Sequence, residues 1–305
     1  MFDQRKIKEF LFFMREKTVI TALELIEKDL YLNFLLAKLN LEEYAFKGGT
    51  CLAKVYLNYF RFSEDLDFTF IDQALWIGKS TQYIKKICKR KIGEFGKQLE
   101  GIGLDFTFNK SNNRYVSLGG NNKLITFKIY YNSVITNNES FIKIQINFLE
   151  KMAFKPEEKE ILPVINVENF SNEDKLYYSD FMVFYEKRKL IAYSLKEIVA
   201  EKIRSLLTRK TIKSRDSIDL FFIYKKFKIK PEDMWEESKG KITFAINAYR
   251  KYKANFILAK EILEKTDFSY KDAKYLVIQP INEDEFSIFM QDLKVFLKKL
   301  IEQIV

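Results

Sequence analysis

The chain has 305 residues, 47% of them apolar and 16% aromatic, which is enough material for two packed domains and excludes a disordered polypeptide. It carries 52 basic and 42 acidic residues, a formal net charge of +10, and no histidine. The missing imidazole excludes Ser-His-Asp and Cys-His catalysis, histidine metal sites and a histidine general base, so any chemistry must rest on carboxylates, lysine, arginine, hydroxyls and bound metal.

Ile7, Phe10, Leu11 and Met14 recur at helical spacing, as do Leu23, Ile26, Leu30, Leu32, Leu35 and Leu36, so two helices are expected in the first forty residues. Thr21 with Glu24 offers a capping box for the second. A short strand, Tyr44-Ala45-Phe46, leads into Gly48-Gly49-Thr50; a helix over 50–60 and a strand over 66–71 follow. Residues 79–99 read as a helix, and 104–108, 124–131 and 141–148 as strands, because β-branched and aromatic residues dominate them in alternation with polar ones. Asn112-Asn113 and Gly119-Gly120-Asn121-Asn122 mark loops, and 181–185 reads as one more extended piece.

Ser194 with Glu197 signals a capping-box helix start. From Leu195 to Val305 the period is helical, with breaks expected near Pro231, Lys239-Gly240 and Gln279-Pro280. The reading is an α/β (α+β) domain with a mixed sheet over 1–190, followed by a helical bundle over 191–305. The boundary is a change of period, with no linker or internal repeat to mark it.

Two features carry chemistry. Asp65 and Asp67 alternate with Leu66, Phe68 and Phe70, so both acids share one strand face while the apolar side chains pack inward. Two carboxylates so placed repel unless a cation neutralises them, and Mg2+ suits one or two carboxylates completed by phosphate oxygens and water. The plain alternative is a solvated strand face with a nearby lysine. Gly48-Gly49-Thr50, between a strand and a helix start, lets backbone approach a phosphate. Further on, Lys202 and Arg209 are seven residues apart and share a helix face; Arg215 and Asp219, and Asp216 and Asp219, are spaced to meet on one helix. Here the alternative is an intrahelical salt-bridge ladder.

The order GGT-x-L-x-K (Gly48, Gly49, Thr50, Lys54) and R-x-S-x-D-L-D-F (Arg61, Ser63, Asp65, Asp67), then E-K…R…R-D-x-x-D-L (Glu201, Lys202, Arg209, Arg215, Asp216, Asp219), resembles the AbiEii/AbiGii toxin family, a branch of the DNA polymerase β-like nucleotidyltransferase superfamily. The likeness in motif order spans 46–222. It implies a polymerase β-like nucleotidyltransferase domain in which Gly48, Gly49 and Thr50 contact an NTP triphosphate. Asp65 and Asp67 would bind Mg2+ or Mn2+, Lys202 would reach the phosphates, and Asp219, with Asp216, would complete the active site. Lys54, Arg61, Ser63 and Arg215 match the motifs as further nucleotide-binding positions. The sequence departs from the superfamily at the third carboxylate: on the strand Ile142–Glu150 the same-face residues are Lys143, Gln145 and Asn147, and Glu150 falls on the other face. Either Asp219 or Asp216 then replaces the base, or the chemistry is slow, or a nucleotide is bound without transfer.

The expected reaction is transfer of an NMP from an NTP to an acceptor hydroxyl, with tRNA 3′ ends the first candidate by resemblance and an antitoxin as a counterpart. Transfer to a protein hydroxyl and a non-catalytic nucleotide- or RNA-binding module are the alternatives. The positive charge suits a polyanionic acceptor, although clusters such as Lys187-Arg188-Lys189 also suit a solvated surface. Two cysteines, a charged N-terminus without an apolar core and the lack of a long apolar run predict a cytoplasmic protein with no membrane contact.

Overall fold

The computed structural model describes residues 3–18, 20–266 and 269–304. The chain divides into two compact units, Met1–Leu149 with Glu158–Ala192, and Glu150–Glu157 with Tyr193–Val305.

The first unit is built on a seven-stranded mixed sheet: β1 (Tyr44–Lys47), β2 (Asp65–Phe70), β3 (Val116–Gly119), β4 (Leu124–Asn132), β5 (Glu139–Asn147), β6 (Glu157–Ile161) and β7 (Arg188–Ala192). Their spatial order is β3-β4-β5-β2-β1-β7-β6. β1 runs antiparallel to β2 and parallel to β7, and β2 runs parallel to β5. The helices are α1 (Gln4–Lys17), α2 (Leu23–Lys38), α3 (Gly48–Cys51), α4 (Thr81–Glu100), α5 (Asn172–Tyr177) and α6 (Ser179–Met182). Alternation fixes which sheet face is apolar. Phe46 and Phe68 meet at 5.5 Å across β1 and β2, and Phe95 of α4 packs on Tyr44 at 5.4 Å and on Phe127 of β4 at 5.5 Å. Helix α4 therefore seals the face opposite Asp65 and Asp67, whose own face stays polar.

Several elements depart from the sequence reading. Helix α2 starts at Leu23 on Ala22, without a side-chain cap, so Thr21 is one residue early for its expected role. The helix expected over 50–60 starts on the glycines instead, continues as a π-helical turn over Leu52–Tyr56, and stops because Asn58 and Tyr59 take positive φ values of 45° and 55°. Residues 104–108 form only an isolated bridge, Asp105 to Tyr130, because Phe108 packs flat against Gly96 of α4 where any side chain would overlap it. The expected strand 181–185 is instead the end of α6 and the turn after it, where its aromatic residues pack inward: Phe181 stacks on Phe10 of α1 at 4.8 Å and Tyr185 meets Phe10 at 5.7 Å. The extended pieces of this region are β6 and β7, whose exposed charges pair as Lys189–Glu158 at 2.9 Å and hide the strand period.

The second unit holds α7 (Leu195–Thr208), α8 (Ser214–Phe227), α9 (Trp235–Ala248), α10 (Arg250–Ile257), α11 (Ala259–Lys265) and α12 (Glu283–Glu302). Its core includes Phe221 against Phe286 at 5.2 Å and Trp235 against Phe296 at 5.5 Å. The Ser194 hydroxyl caps α7 by accepting from the Glu197 N–H at 3.3 Å, but Glu197 does not complete a capping box. Its carboxylate accepts from the Ala153 and Phe154 N–H groups and pairs with the buried Lys241 at 2.5 Å. Helix α9 continues through Gly240, where a break was expected, and the bare glycine leaves room for the Lys151 side chain.

Candidate active site

Register brings the first motif together. β1 and β2 pair so that Lys47 lies opposite Asp67, and β2 and β5 pair so that Asp65 lies beside Lys143 and Asp67 beside Gln145. Asp65, Asp67, Lys143 and Gln145 therefore share the polar face. Chain reversal at Gly48 then places the glycine turn directly over it. Gly48 has φ +77°, and a Cβ there would overlap the Asp67 carboxylate. Glycine is required twice at this position, by the backbone and by the acid. A Cβ on Gly49 would come within 2.5 Å of the Arg61 guanidinium and 2.9 Å of the Ser63 hydroxyl. Gly48, Gly49, Arg61, Ser63 and Asp67 thus converge. Thr50 is buried and donates its hydroxyl to the Asp65 carbonyl, tying the helical turn to β2.

The Arg61 guanidinium is itself buried and donates to the Phe62 carbonyl at 2.6 Å. Lys54, expected at the nucleotide, is turned into the protein interior. Its ammonium is buried and bonded to Asp29 at 2.5 Å, Asn33 at 2.8 Å and Tyr59 at 2.5 Å. Burial pulls its pKa below the ordinary lysine value, against the pull of Asp29. The π-helical turn swings Lys54 toward α2, which the motif spacing alone does not reveal.

The second motif converges within the helical unit. Lys202 of α7 binds Asp216 at 2.7 Å and Asp219 at 2.5 Å, both on α8, and Arg209 also pairs with Asp216. Asp219 is wholly buried, and Arg215 sits half-buried at the start of α8. Glu150, the acid at the end of the β5 sequence run, is bound to Lys241 at 3.3 Å.

A family profile described as "Nucleotidyl transferase AbiEii toxin, Type IV TA system" matches residues 33–304, nearly the whole chain. The chain belongs to this family. It is accordingly a nucleotidyltransferase with an NTP substrate, and membership implies an antitoxin counterpart. Both clusters of polar side chains lie within the matched residues. Two crystal structures from Helicobacter pylori superpose over most of the chain. One is JHP933, at 13% identity and TM-score 0.38, covering 92% of this chain and 91% of that one. The other is described as a candidate nucleotidyltransferase, at 15% identity and TM-score 0.38, covering 92% of this chain and 95% of that one. At that level of superposition neither adds to the assignment. No curated protein matches the chain.

Nucleotidyltransferases generally use divalent metal, and the residues present suit one. Among the described residues no group of three or more His, Cys, Asp or Glu gathers into a metal cage. Asp65 and Asp67 put two carboxylates on one face, a donor set that a divalent cation such as Mg2+ accepts when phosphate and water complete its shell. The Lys143 ammonium, 2.7 Å from Asp65, shows that this face already accommodates a positive charge. The sequence shows Lys143 only as a same-face position; the parallel register of β2 and β5 is what brings it to Asp65. No helix among the described residues is long and apolar enough to cross a membrane.

Proposed function

We propose that this nucleotidyltransferase moves an NMP from an NTP to a hydroxyl of RNA, with tRNA 3′ ends as acceptor, and acts in the cytoplasm as the toxin of a toxin–antitoxin or abortive-infection pair. The observation that carries the site assignment is the fit of Asp67 into the space left by Gly48, which makes the glycine turn and the acid pair one constellation. The tRNA acceptor rests on the family resemblance and on the net charge of +10.

In this reading Asp65 and Asp67 hold Mg2+ or Mn2+, which when bound screens the triphosphate and acidifies the attacking hydroxyl. Gly48 and Gly49 let main chain come close to the phosphates, and Arg61 and Ser63 brace the turn from behind Gly49. Thr50 acts by fixing the turn to β2. Lys202 is assigned to the phosphates by its motif, with Asp216 and Asp219 holding its ammonium in place. The acceptor oxygen forms a bond to the α-phosphorus, the bond from that phosphorus to the bridging oxygen breaks, and pyrophosphate leaves with the electron pair. The proton goes to water, because Gln145 and Asn147 cannot accept it and Asp216 and Asp219 are committed to Lys202.

Labelled NTPs with Mg2+ and either total RNA or lysate protein test the proposal. Label in the tRNA band supports it. Label confined to protein bands would point to a protein hydroxyl as acceptor.

A further inference from the structure

Lys143 is half-exposed, at 29%, and its ammonium lies 2.7 Å from an oxygen of Asp65, which is 25% exposed. The two residues are register partners on adjacent parallel strands, so the pair is set by the sheet and not by a chance side-chain reach. Thr50, bonded to the Asp65 carbonyl, anchors the same residue from the other side. A cation is therefore built into the place where the proposed function puts a metal.

We infer that Lys143 is an internal counter-ion that occupies Asp65 in the free protein and yields it more readily to a metal-bound triphosphate than to free metal. This rests on the assignment of Asp65 and Asp67 as metal ligands. Lys143 lowers the repulsion between the two acids while the site waits. It also competes with a divalent cation for Asp65, so the free protein takes up metal weakly. When Lys143 is displaced, its ammonium stays on the same polar face, where an incoming triphosphate supplies the negative charge it has lost. The pair thus favours the metal–nucleotide complex as the entering species over free metal followed by nucleotide. Lys143 is a positioning residue, touching the ligand Asp65 and not the reacting atoms.

Calorimetric titration of Mn2+ into the full-length protein without nucleotide tests the idea. Lys143→Met, which keeps the aliphatic stem and removes the charge, should bind Mn2+ about fivefold more tightly than wild type, the upper range for a partly exposed ion pair. Lys143→Arg should stay near wild type. In the wild-type protein, acylation of the Lys143 amine, read by mass spectrometry, should speed up when Mn2+ and a non-hydrolysable NTP are added together. Unchanged or weaker Mn2+ binding by Lys143→Met, with Asp67→Ala abolishing binding, would sink the counter-ion role and leave the metal site standing. If no variant and no wild-type protein binds Mn2+ even with nucleotide, the metal assignment fails and the counter-ion with it. A merely structural Lys143 would lower the melting temperature without moving the Mn2+ affinity or the acylation rate.

Discussion

Asp65 and Asp67 on β2 and Asp216 and Asp219 on α8 are acid pairs of similar composition placed in opposite surroundings. Asp65 is 25% exposed and paired with one half-exposed lysine, whereas Asp216 and Asp219 are 5% and 0% exposed and share the nearly buried Lys202. A strand face open to solvent keeps carboxylates exchangeable, since an exposed ion pair is held by about 1 kcal/mol or less. A seam between two helices closes them, because a buried ion that loses its partner has no water to replace it. Residues of the same type are therefore open to exchange in one unit and closed off in the other.

Separating stability from activity breaks or sharpens this contrast. The largest expected effect is on the buried side. Asp219→Ala leaves Lys202 buried with a partner missing and should cost about 3–5 kcal/mol, measured by denaturant unfolding. A loss under 1 kcal/mol would mean the seam is solvated and the contrast is wrong. On the open side, Asp67→Ala should lower nucleotidyl transfer on the order of 10²–10³-fold while the melting temperature stays near wild type. Equal losses of stability and rate would make Asp67 structural.

Gly48→Ala comes next. With φ at +77° and the Asp67 carboxylate in the way, it should cost about 1–2 kcal/mol and reduce transfer along with it. A fully active, fully stable variant would separate the glycine turn from the acid pair.

The smallest effect is a pH dependence. Glu27, buried on α2, accepts from the Ser133 hydroxyl at 2.5 Å and the Val134 N–H at 2.8 Å, yet burial raises its pKa above the ordinary 4.5. The folded state then holds the proton longer than the unfolded one. Its contribution is complete below 4.5 and is lost as pH rises through the folded value. Glu27→Gln should flatten that part of the stability–pH curve, seen by thermal unfolding across the mildly acidic range; an unchanged slope would assign it to another group.

The candidate site was legible where chemistry is local. The alternation around Asp65 and Asp67 and the two glycines state their placement in a few residues, because a strand's period and a bare backbone need no distant partner. The placement of Lys54 is not legible for the opposite reason: it depends on a π-helical turn and on Asp29, twenty-five residues earlier. The outward charges of β7 mask its strand period, and the aromatic residues of 181–185 suit a sheet until Phe10 draws them into the turn at the end of α6.

The order and spacing of residues alone determined the chemical inventory: no imidazole, a D-x-D pair on one strand face, a glycine turn upstream and a lysine–arginine–acid block downstream. These follow from residue type and short-range periodicity, which act within a few positions. Only the tertiary structure decided which acids are open and which are closed. Register between β2 and β5 set Lys143 against Asp65, the chain reversal at Gly48 brought its bare backbone onto Asp67, and the packing of α7 on α8 buried Asp219 against Lys202. Each is a long-range contact whose solvent exposure, and hence whose electrostatic strength, does not exist until the chain has folded around it.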